Sequence, residues 1–513
     1  MNLLKALSTV SGMTLLSRIT GLVRESLKAS VFGAGLQMDA FEAAFRLPNI
    51  LRRLFAEGAF SQAFVPIFAE YRRQRGADET KALVGRVGTI LALALLGLTV
   101  VGIVAAPWLV YALAAGFAKT PGKVELTADL IRIVFPYVLF VSLISLAGGV
   151  LNVYRQFAIP AFTPVLLNLS IIGGALFLAP YCDPPVKALA WGVLAGGIAQ
   201  LALQIRPLAR IGMLSRPRFD WRDPGVRRVL LMMGPAILGV SAAQVSALIN
   251  TQLAASLGDG RISWITYADR LMEFPSALLG VALGTVLLPS LAKHHADSNP
   301  VEYSSLLDWG LRLVFLLALP AAIGLWVLAI PLISTLYQYG KFTVEDVLQT
   351  RAALLGYSVG LLGLILVKIL APGFYARQIM KTPVKIAFLT VLVAQTFAVI
   401  LMVPLGHAGL TLSTSIGAMM NATLLFWFLR KRGIYLPRPG WTQFLSKLAV
   451  ALFVLAALLF ATAGPPSFWL HAGLWAKVGR LAGVIGGGAL GYFGALWLLG
   501  FRPSDFNRGD ATG

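Results

Sequence analysis

The amino-acid sequence predicts an all-α polytopic membrane protein with about fourteen transmembrane helices. Its 513 residues are 58% hydrophobic and only 13% charged, whereas an ordinary soluble domain has about 25% charged residues. Apolar stretches of about 20 residues, the length at which a helix crosses a bilayer, recur along the whole chain. The stretches centre near residues 18, 52, 97, 140, 170, 196, 242, 280, 320, 362, 392, 418, 454 and 488.

The loops between these stretches differ in charge. Loops after even-numbered stretches are rich in lysine and arginine, as in Arg72-Arg73 and Arg430-Lys431-Arg432, while loops after odd-numbered ones carry few, among them Lys123 and Lys341. Cytoplasmic loops carry the excess of Lys and Arg, so both termini are predicted to be cytoplasmic. The same rule accounts for the net charge of +21, and we expect no nucleic-acid binding.

The chain also repeats itself with a period of about 222 residues. Ala44-Phe45-Arg46-Leu47-Pro48 recurs as Ala268-Asp269-Arg270-Leu271-Met272, and Tyr154-Arg155-Gln156 recurs as Ala376-Arg377-Gln378. Such a period predicts two homologous lobes of six helices with a substrate site between them. The expected lobes cover residues 1–220 and 221–435, and two additional helices with a short cytoplasmic tail cover residues 436–513.

Arginines stand where the first two apolar stretches should be uninterrupted. Arg18 and Arg24 lie in the first stretch, and Arg46, Arg52 and Arg53 in the second. An ionised side chain at bilayer depth costs at least about 2.5 kcal/mol, so it normally faces a protein interior or a water-filled cavity. Several unpaired arginines facing one cavity would bind an anion. The alternative is that they pair with nearby carboxylates and hold helices together. Candidate pairs are Arg53 with Glu57, Arg46 with Glu42, and Asp269 with Arg270 or Glu273.

Several long motifs with polar residues in apolar surroundings resemble the lipid II flippase family (MurJ, also called MviN) from Met1 to about Gly500. They include Ser17-Arg18 with Gly21 and Arg24, Asp39-Ala40-Phe41, Arg46-Leu47-Pro48-Asn49-Ile50-Leu51-Arg52-Arg53, Phe55-Ala56-Glu57-Gly58-Ala59-Phe60-Ser61-Gln62-Ala63-Phe64-Val65-Pro66, Gly234-Pro235-Ala236-Ile237-Leu238-Gly239-Val240-Ser241, Tyr267-Ala268-Asp269-Arg270-Leu271-Met272-Glu273-Phe274-Pro275 and Ala371-Pro372-Gly373-Phe374-Tyr375. The resemblance implies the multidrug/oligosaccharidyl-lipid/polysaccharide exporter fold in a bacterial inner membrane. It further implies transfer of undecaprenyl-diphosphate-linked disaccharide-pentapeptide from the cytoplasmic to the periplasmic leaflet by alternating access.

The resemblance also assigns roles to residues. It implies that four arginines line the central cavity and meet the diphosphate: Arg18, Arg24, Arg52 and Arg270. If unpaired, they would repel one another in an empty cavity, and substrate would favour a more closed state. The cavity or gate network is expected to comprise Ser17, Asp39, Arg53, Glu57, Ser263, Asp269, Glu273 and Lys368. Two alternatives stay open, since Asp39 could be an end-of-helix charge in interfacial water and Lys368 could extend to the membrane surface.

The last two predicted helices carry glycines at four-residue spacing, namely Gly483, Gly487 and Gly491. This spacing predicts close approach of another helix. The resemblance implies an apolar groove for the polyprenyl tail, and ordinary packing is the alternative. Four prolines within or at the ends of apolar stretches are candidate hinges: Pro48, Pro66, Pro275 and Pro289.

Other functions find less support. The chain has no phosphate-binding Gly-rich loop and no His spacing typical of a metal site, so we expect no enzyme activity, no cofactor and no metal. The competing interpretations are a cation-coupled multidrug exporter of the same fold and a membrane glycosyltransferase acting on lipid-linked sugars. Expected partners are lipid II and membrane lipids, for a monomer associated with the cell-wall synthesis machinery. The energy source stays open between membrane potential and protons. The resemblance implies that a sodium site, where present, lies on the seventh, eleventh and twelfth stretches, and sodium is disfavoured because these stretches lack a carboxylate here.

Overall fold

Helices form the regular structure of the part of the chain that the computed structural model describes, residues 3–53 and 60–502. Close contacts divide the chain into two units. Unit 1 is Met1–Ser263 with Tyr339–Phe342, and unit 2 is Trp264–Gln338 with Thr343–Gly513. These units are defined by packing, and the lobes inferred from the sequence repeat stay a prediction.

The described residues of unit 1 form ten α-helices and the first turn of an eleventh, besides three short 3-10 or π helices. The ten are α1 (Leu3–Phe32), α2 (Leu36–Leu51), α3 (Phe60–Gln74), α4 (Gly76–Val104), α5 (Ala106–Ala114), α6 (Lys123–Val134), α7 (Tyr137–Val153), α8 (Ala158–Gly173), α9 (Lys187–Arg210) and α10 (Pro224–Ser256). Helix α1 packs against α8, α8 against α9, and α10 against α3 and α5. Stacked rings of Phe60, Phe64 and Phe68 along α3 form the centre of an apolar core with α4, α7 and α10.

Unit 2 contains the rest of α11 and nine further helices. They are α11 (Arg261–Ala296), α12 (Pro300–Val327), α13 (Ala329–Leu336), α14 (Val344–Leu370), α15 (Pro372–Tyr375), α16 (Lys381–Leu405), α17 (His407–Lys431), α18 (Trp441–Ala463), α19 (Pro466–His471) and α20 (Leu474–Leu498). Helix α14 packs against α12 and α17, and α18 packs against α12 and α20. Gly356, Gly360 and Gly363 lie against the backbone of α17, where a Cβ atom at any of them would collide.

The structure confirms an all-α polytopic membrane protein. Ten segments of the described residues are long and apolar enough to cross a membrane, and each coincides with a predicted stretch. The other four predicted stretches fall on α1, on α2 with α3, on α10 and on α11. Three of these four carry the candidate arginines. The described residues of these stretches are helical, as predicted, and their passage through the membrane stays a prediction.

The glycine stripe of α20 packs differently from the expectation. A Cβ atom at Gly483 or Gly487 would have no neighbour within 4 Å, whereas one at Gly488 or Gly491 would collide with leucines of α18. The predicted close approach is therefore right for Gly491 and wrong for Gly483 and Gly487. The helix presents the face that contains Gly488 to α18, because that face continues the buried side chains Leu481 and Val484.

Candidate functional site

Four ionised side chains of α1 and α2 form a continuous series of ion pairs, the α1–α2 charge chain: Arg24, Glu25, Lys28 and Glu42. Arg24 donates from Nε and Nη2 to Oε1 of Glu25, with 3.0 Å between Nε and the oxygen. Lys28 Nζ lies 2.8 Å from Oε2 of Glu25 and also pairs with Glu42 on α2. Glu25, Lys28 and Glu42 are only 2%, 4% and 9% exposed. Two cations and two anions are thus removed from water together, as buried charges require.

Asn168 of α8 connects Arg24 to the preceding turns of α1. Its Oδ1 accepts from Arg24 Nη1 at 2.8 Å. Its Nδ2 donates to the carbonyl of Ser17 at 3.0 Å and to Oγ1 of Thr20 at 3.1 Å. Because the amide uses both its acceptor and its donors, it fixes the guanidinium along α1. The Arg24 side chain nevertheless keeps an exposure of 15%.

The remaining candidates of α1 and α2 are less buried. Arg18 and Arg53 are exposed, and Arg52 is half-buried. Arg52 donates from Nε and Nη2 to Oδ1 of Asn49 at 3.0 and 2.9 Å. Glu57, expected in the gate network, lies outside the described residues.

Asp39 of α2 is fully buried and binds the N-terminal end of α11. Its Oδ1 accepts from the backbone N and Oγ of Ser263 at 2.9 and 2.6 Å, and its Oδ2 accepts from the backbone N of Gly260 at 2.7 Å. Backbone N–H groups at a helix start favour a negative charge. Lys123 Nζ lies 3.1 Å from Asp39 and 2.7 Å from Asp259. We call these five residues the Asp39 cap.

The Asp39 cap corrects two expectations. Asp39 lies in the first turn of α2 but not in interfacial water, because its exposure is 0%. Lys123 is not an exposed loop residue, because it begins α6 at an exposure of 1%. Both residues can be buried because the ammonium group of Lys123 and the carboxylate of Asp39 compensate each other's charge, although the two lie far apart in the sequence.

Unit 2 contains the candidates of α11 and α14. Arg270 Nη1 lies 2.8 Å from Oε2 of Glu273, and the two side chains are 28% and 37% exposed. Asp269 is half-buried. Lys368 Nζ donates to the carbonyl and Oγ of Ser276 at 2.8 and 3.1 Å. Lys368 therefore binds α11 close to the Arg270–Glu273 pair in sequence.

Mutual repulsion is expected from unpaired arginines, but at least two of the four candidates have carboxylate partners. Arg24 pairs with Glu25 and Arg270 pairs with Glu273. A carboxylate partner lowers the cost of holding a guanidinium away from bulk water. Glu42, considered as a partner for Arg46, pairs instead with Lys28 of α1. Repulsion among unpaired arginines is therefore not the state that the structure shows.

Sequence reasoning missed several residues of these networks, among them Lys28, Asn168 and Lys123. Lys28 follows Arg24 by four positions, which places both on one face of a helix, and this spacing could have identified it. Asn168 and Lys123 gave no comparable pattern, because their partners lie 144 and 84 positions away in the sequence.

Asp308 of α12 holds the segment that leads into α18. Its Oδ1 accepts from the Tyr435 hydroxyl and from Trp441 Nε1, both at 2.7 Å, and its Oδ2 accepts from Arg312 Nε at 2.8 Å. Burial raises the pKa of the Tyr435 hydroxyl, which keeps it a donor. Arg312 also donates to the carbonyl of Pro439 at 3.0 Å. We call this group the Asp308 clamp.

The start of α20 is fixed by a second polar group. Lys477 is 2% exposed and donates to Oε1 of Gln338 at 3.0 Å. Gln338 Nε2 donates in turn to the carbonyl of Leu470 at 2.9 Å. Further along α20, the Tyr492 hydroxyl donates to the carbonyl of Leu316 at 2.7 Å. The terminal helices are therefore attached to α12 and to the end of α13 along their length.

Many helices with ionised side chains buried among them define a polytopic membrane protein in which such charges mark a candidate substrate or ion pathway. Solved structures of this class share the fold. A lipid II flippase MurJ in an inward closed conformation matches with a TM-score of 0.80 at 23% identity, covering 95% of this chain and 98% of that one. An inward-facing multidrug resistance MATE family transporter of the MOP superfamily matches with a TM-score of 0.68 at 15% identity, covering 83% and 97%. At these identities the likeness concerns the fold.

The sequence comparisons are more specific. The family model for the lipid II flippase MurJ matches residues 28–475. The chain is 52% identical over 513 residues to the lipid II flippase MurJ of Burkholderia cenocepacia, covering 99% of each. It is 44% identical to a probable lipid II flippase MurJ of Buchnera aphidicola subsp. Acyrthosiphon pisum, covering 91% of this chain and 92% of the relative. This chain belongs to the MurJ family, which is a family of transporters and not of enzymes. The predicted family is confirmed.

Proposed function

We propose that this chain moves lipid II from the cytoplasmic to the periplasmic leaflet. Membership of the MurJ family supports the substrate. A lipid-linked diphosphate carries about two negative charges, and a guanidinium binds phosphate through parallel N–H···O bonds. The observation that carries the proposal is the position of Arg24. Asn168 fixes its guanidinium, Glu25 pairs with it, and the Arg24 side chain is still 15% exposed.

The proposed diphosphate ligands are Arg18, Arg24, Arg52 and Arg270. For Arg24 and Arg270 we propose an exchange of partners, in which phosphate oxygens replace the oxygens of Glu25 and Glu273. Exchange takes the place of the mutual repulsion expected from the sequence, because both guanidinium groups already have carboxylate partners. A ligand shifts a conformational equilibrium only by its differential affinity for the two states. Substrate therefore favours the state in which more of these arginines reach it.

The Asp39 cap is the proposed gate on the periplasmic side. Asp39 belongs to the predicted first lobe, and Gly260 and Ser263 belong to the predicted second lobe. Alternating access separates the lobes on that side, so these hydrogen bonds have to break once in each cycle. The other members of the proposed cavity or gate network are Ser17, Arg53, Glu57, Asp269, Glu273 and Lys368.

Contacts within unit 1 support the proposed topology. Lys123 pairs with Asp39 and Asp259, all on the predicted periplasmic side. On the predicted cytoplasmic side, Arg228 lies 2.9 Å from Glu70. In each pair, both residues are assigned to the same side of the membrane. The chain between two such residues has to cross the membrane an even number of times, as the predicted topology has it. With the positive-inside rule, this supports cytoplasmic termini in a bacterial inner membrane.

The proposal is tested in cells depleted of their own lipid II flippase, by measuring how much lipid II an externally added lipid II-cleaving enzyme can reach. The wild-type chain is expected to restore the accessible pool. Arg24→Ala should lower the transfer rate about ten- to a hundredfold, because it removes charged hydrogen bonds. Arg24→Lys should recover part of that loss, since it keeps the charge without the forked geometry.

The matched control is Arg228→Ala, which removes an arginine from an exposed ion pair and should leave the rate unchanged, as surface pairs contribute little. Equal transfer by Arg24→Ala and wild type, at equal amounts of protein in the membrane, would remove Arg24 from the substrate site. Failure of the wild-type chain to restore the pool would contradict the proposed function itself.

A further inference from the structure

We propose that Lys28 and Glu42 set the strength with which Arg24 binds an anion, without contacting that anion themselves. This inference rests on the proposed function, in which Arg24 meets the diphosphate of the substrate. It assigns Lys28 and Glu42 as positioning residues that act through Glu25.

The connectivity of the α1–α2 charge chain carries the inference. Glu25 is shared, because Arg24 binds its Oε1 and Lys28 binds its Oε2. Lys28 is shared as well, because its Nζ also donates to Glu42 of α2. Each inner member therefore divides its interaction between two neighbours. If one ion pair becomes weaker, the shared side chain interacts more strongly with its other partner.

Binding of a diphosphate requires Arg24 to release Glu25. A buried carboxylate that lost its only cation would be strongly disfavoured. Lys28 prevents this, because its ammonium group already lies 2.8 Å from the second oxygen of Glu25. Glu42 works in the opposite direction, since it draws the same ammonium group towards α2.

The two residues should therefore have opposite effects on anion binding. Lys28→Met removes one cation from Glu25, so Glu25 holds Arg24 more tightly and the site becomes more negative. Glu42→Gln leaves Lys28 wholly to Glu25, so Arg24 is released more easily and the site becomes more positive. Burial of Lys28 and Glu42 at 4% and 9% exposure limits screening by water and salt.

The test measures binding of undecaprenyl diphosphate to the purified full-length chain in detergent, with undecaprenol as the uncharged comparison. We expect Lys28→Met to weaken diphosphate binding about tenfold and Glu42→Gln to strengthen it about fivefold. Effects of this size are expected when one charge a few ångströms from Glu25 is removed and the effective dielectric constant is intermediate. Binding of undecaprenol should change in neither variant. The double variant Lys28→Met/Glu42→Gln restores a neutral site and should bind within about threefold of wild type.

The outcomes separate this inference from its alternatives. If Lys28 touched the diphosphate itself, the double variant would stay as weak as Lys28→Met, and the inference would be wrong. If the two residues had a purely structural role, both single variants would weaken diphosphate binding, or both would lower the melting temperature, instead of having opposite effects on binding. That result would also overturn the inference. The control Arg228→Met removes a surface cation and should change binding less than twofold.

The proposed function is judged by a different variant in the same assay. Loss of diphosphate binding in Arg24→Ala with no shift in either Lys28→Met or Glu42→Gln would contradict only the inference. Unchanged diphosphate binding in Arg24→Ala would instead contradict the assignment of Arg24 to the substrate site.

Discussion

The α1–α2 region of unit 1 and the terminal helices of unit 2 both bury ionised groups, but they do so in different ways. In α1 and α2, side chains pair with side chains, and Glu25 and Lys28 each divide their charge between two partners. Around the terminal helices, Asp308 of α12 binds a hydroxyl and an indole N–H as well as Arg312. Lys477 of α20 binds the amide oxygen of Gln338.

This difference distinguishes charges that can change partners from charges that hold a structure. A carboxylate shared by two cations can release one of them and remain paired, so the α1–α2 charge chain suits exchange with a substrate anion. A carboxylate surrounded by a hydroxyl, an indole N–H and an arginine gains nothing comparable from release. We therefore expect substitutions in the α1–α2 charge chain to change transport, and substitutions in the Asp308 clamp to change stability.

The largest stability effect is expected where a charge is both buried and shared, in the Asp39 cap. Asp39→Asn should lower the free energy of unfolding by about 3 kcal/mol, because it leaves the buried Lys123 with one carboxylate fewer. Equilibrium unfolding in detergent measures this change. Asp259→Asn is the matched comparison, since its side chain is 41% exposed, and it should cost less than about 1 kcal/mol. Equal losses would show that burial does not set the importance of these two pairs.

A smaller effect is expected in the Asp308 clamp. Asp308→Asn should lower the free energy of unfolding by about 2 kcal/mol through its charged hydrogen bonds. Tyr435→Phe removes one of those bonds and should cost about 1 kcal/mol in the same measurement. Transport by both variants, corrected for the amount of folded protein, should match wild type. A variant that is fully stable yet inactive would contradict the structural role of the clamp.

The smallest effect concerns the packing of α20. Gly488→Ala should cost about 1 kcal/mol, because its Cβ atom would meet Leu459 Cδ2 at 2.7 Å and the contact has to adjust. Gly483→Ala should stabilise the helix by about 0.5 kcal/mol, since alanine favours helix more than glycine does and nothing lies within 4 Å. Thermal unfolding of the two variants gives the comparison. The reverse order would mean that α20 presents its other face to α18.

The sequence was sufficient to predict where helices lie, because runs of apolar residues about 20 long have no other stable form in a bilayer. It also identified the internal prolines, and Pro48, Pro66, Pro275 and Pro289 all lie inside helices. The depth of the candidate arginines in the membrane stays a prediction. The hinge role of these prolines stays a prediction. Each of these features is local in the sequence.

Pairing could not be predicted in the same way. Glu42 has an arginine four positions later in its own helix, yet its partner is Lys28 of α1. Lys123 follows a glycine and reads as a loop residue until Asp39 and Asp259 are placed beside it. Which residues form ion pairs depends on which helices pack together. The spacing of apolar residues within one helix does not determine that packing. The same holds for the face of α20 that contacts α18.

The most direct test of the account is transfer of lipid II across proteoliposome membranes by the purified chain, compared among wild type, Arg24→Ala and Asp308→Asn. We predict that wild type and Asp308→Asn transfer lipid II at similar rates per folded molecule, and that Arg24→Ala is at least about tenfold slower. Transfer by Arg24→Ala at the wild-type rate, or loss of transfer in a folded Asp308→Asn protein, would contradict the division between exchangeable and structural charges.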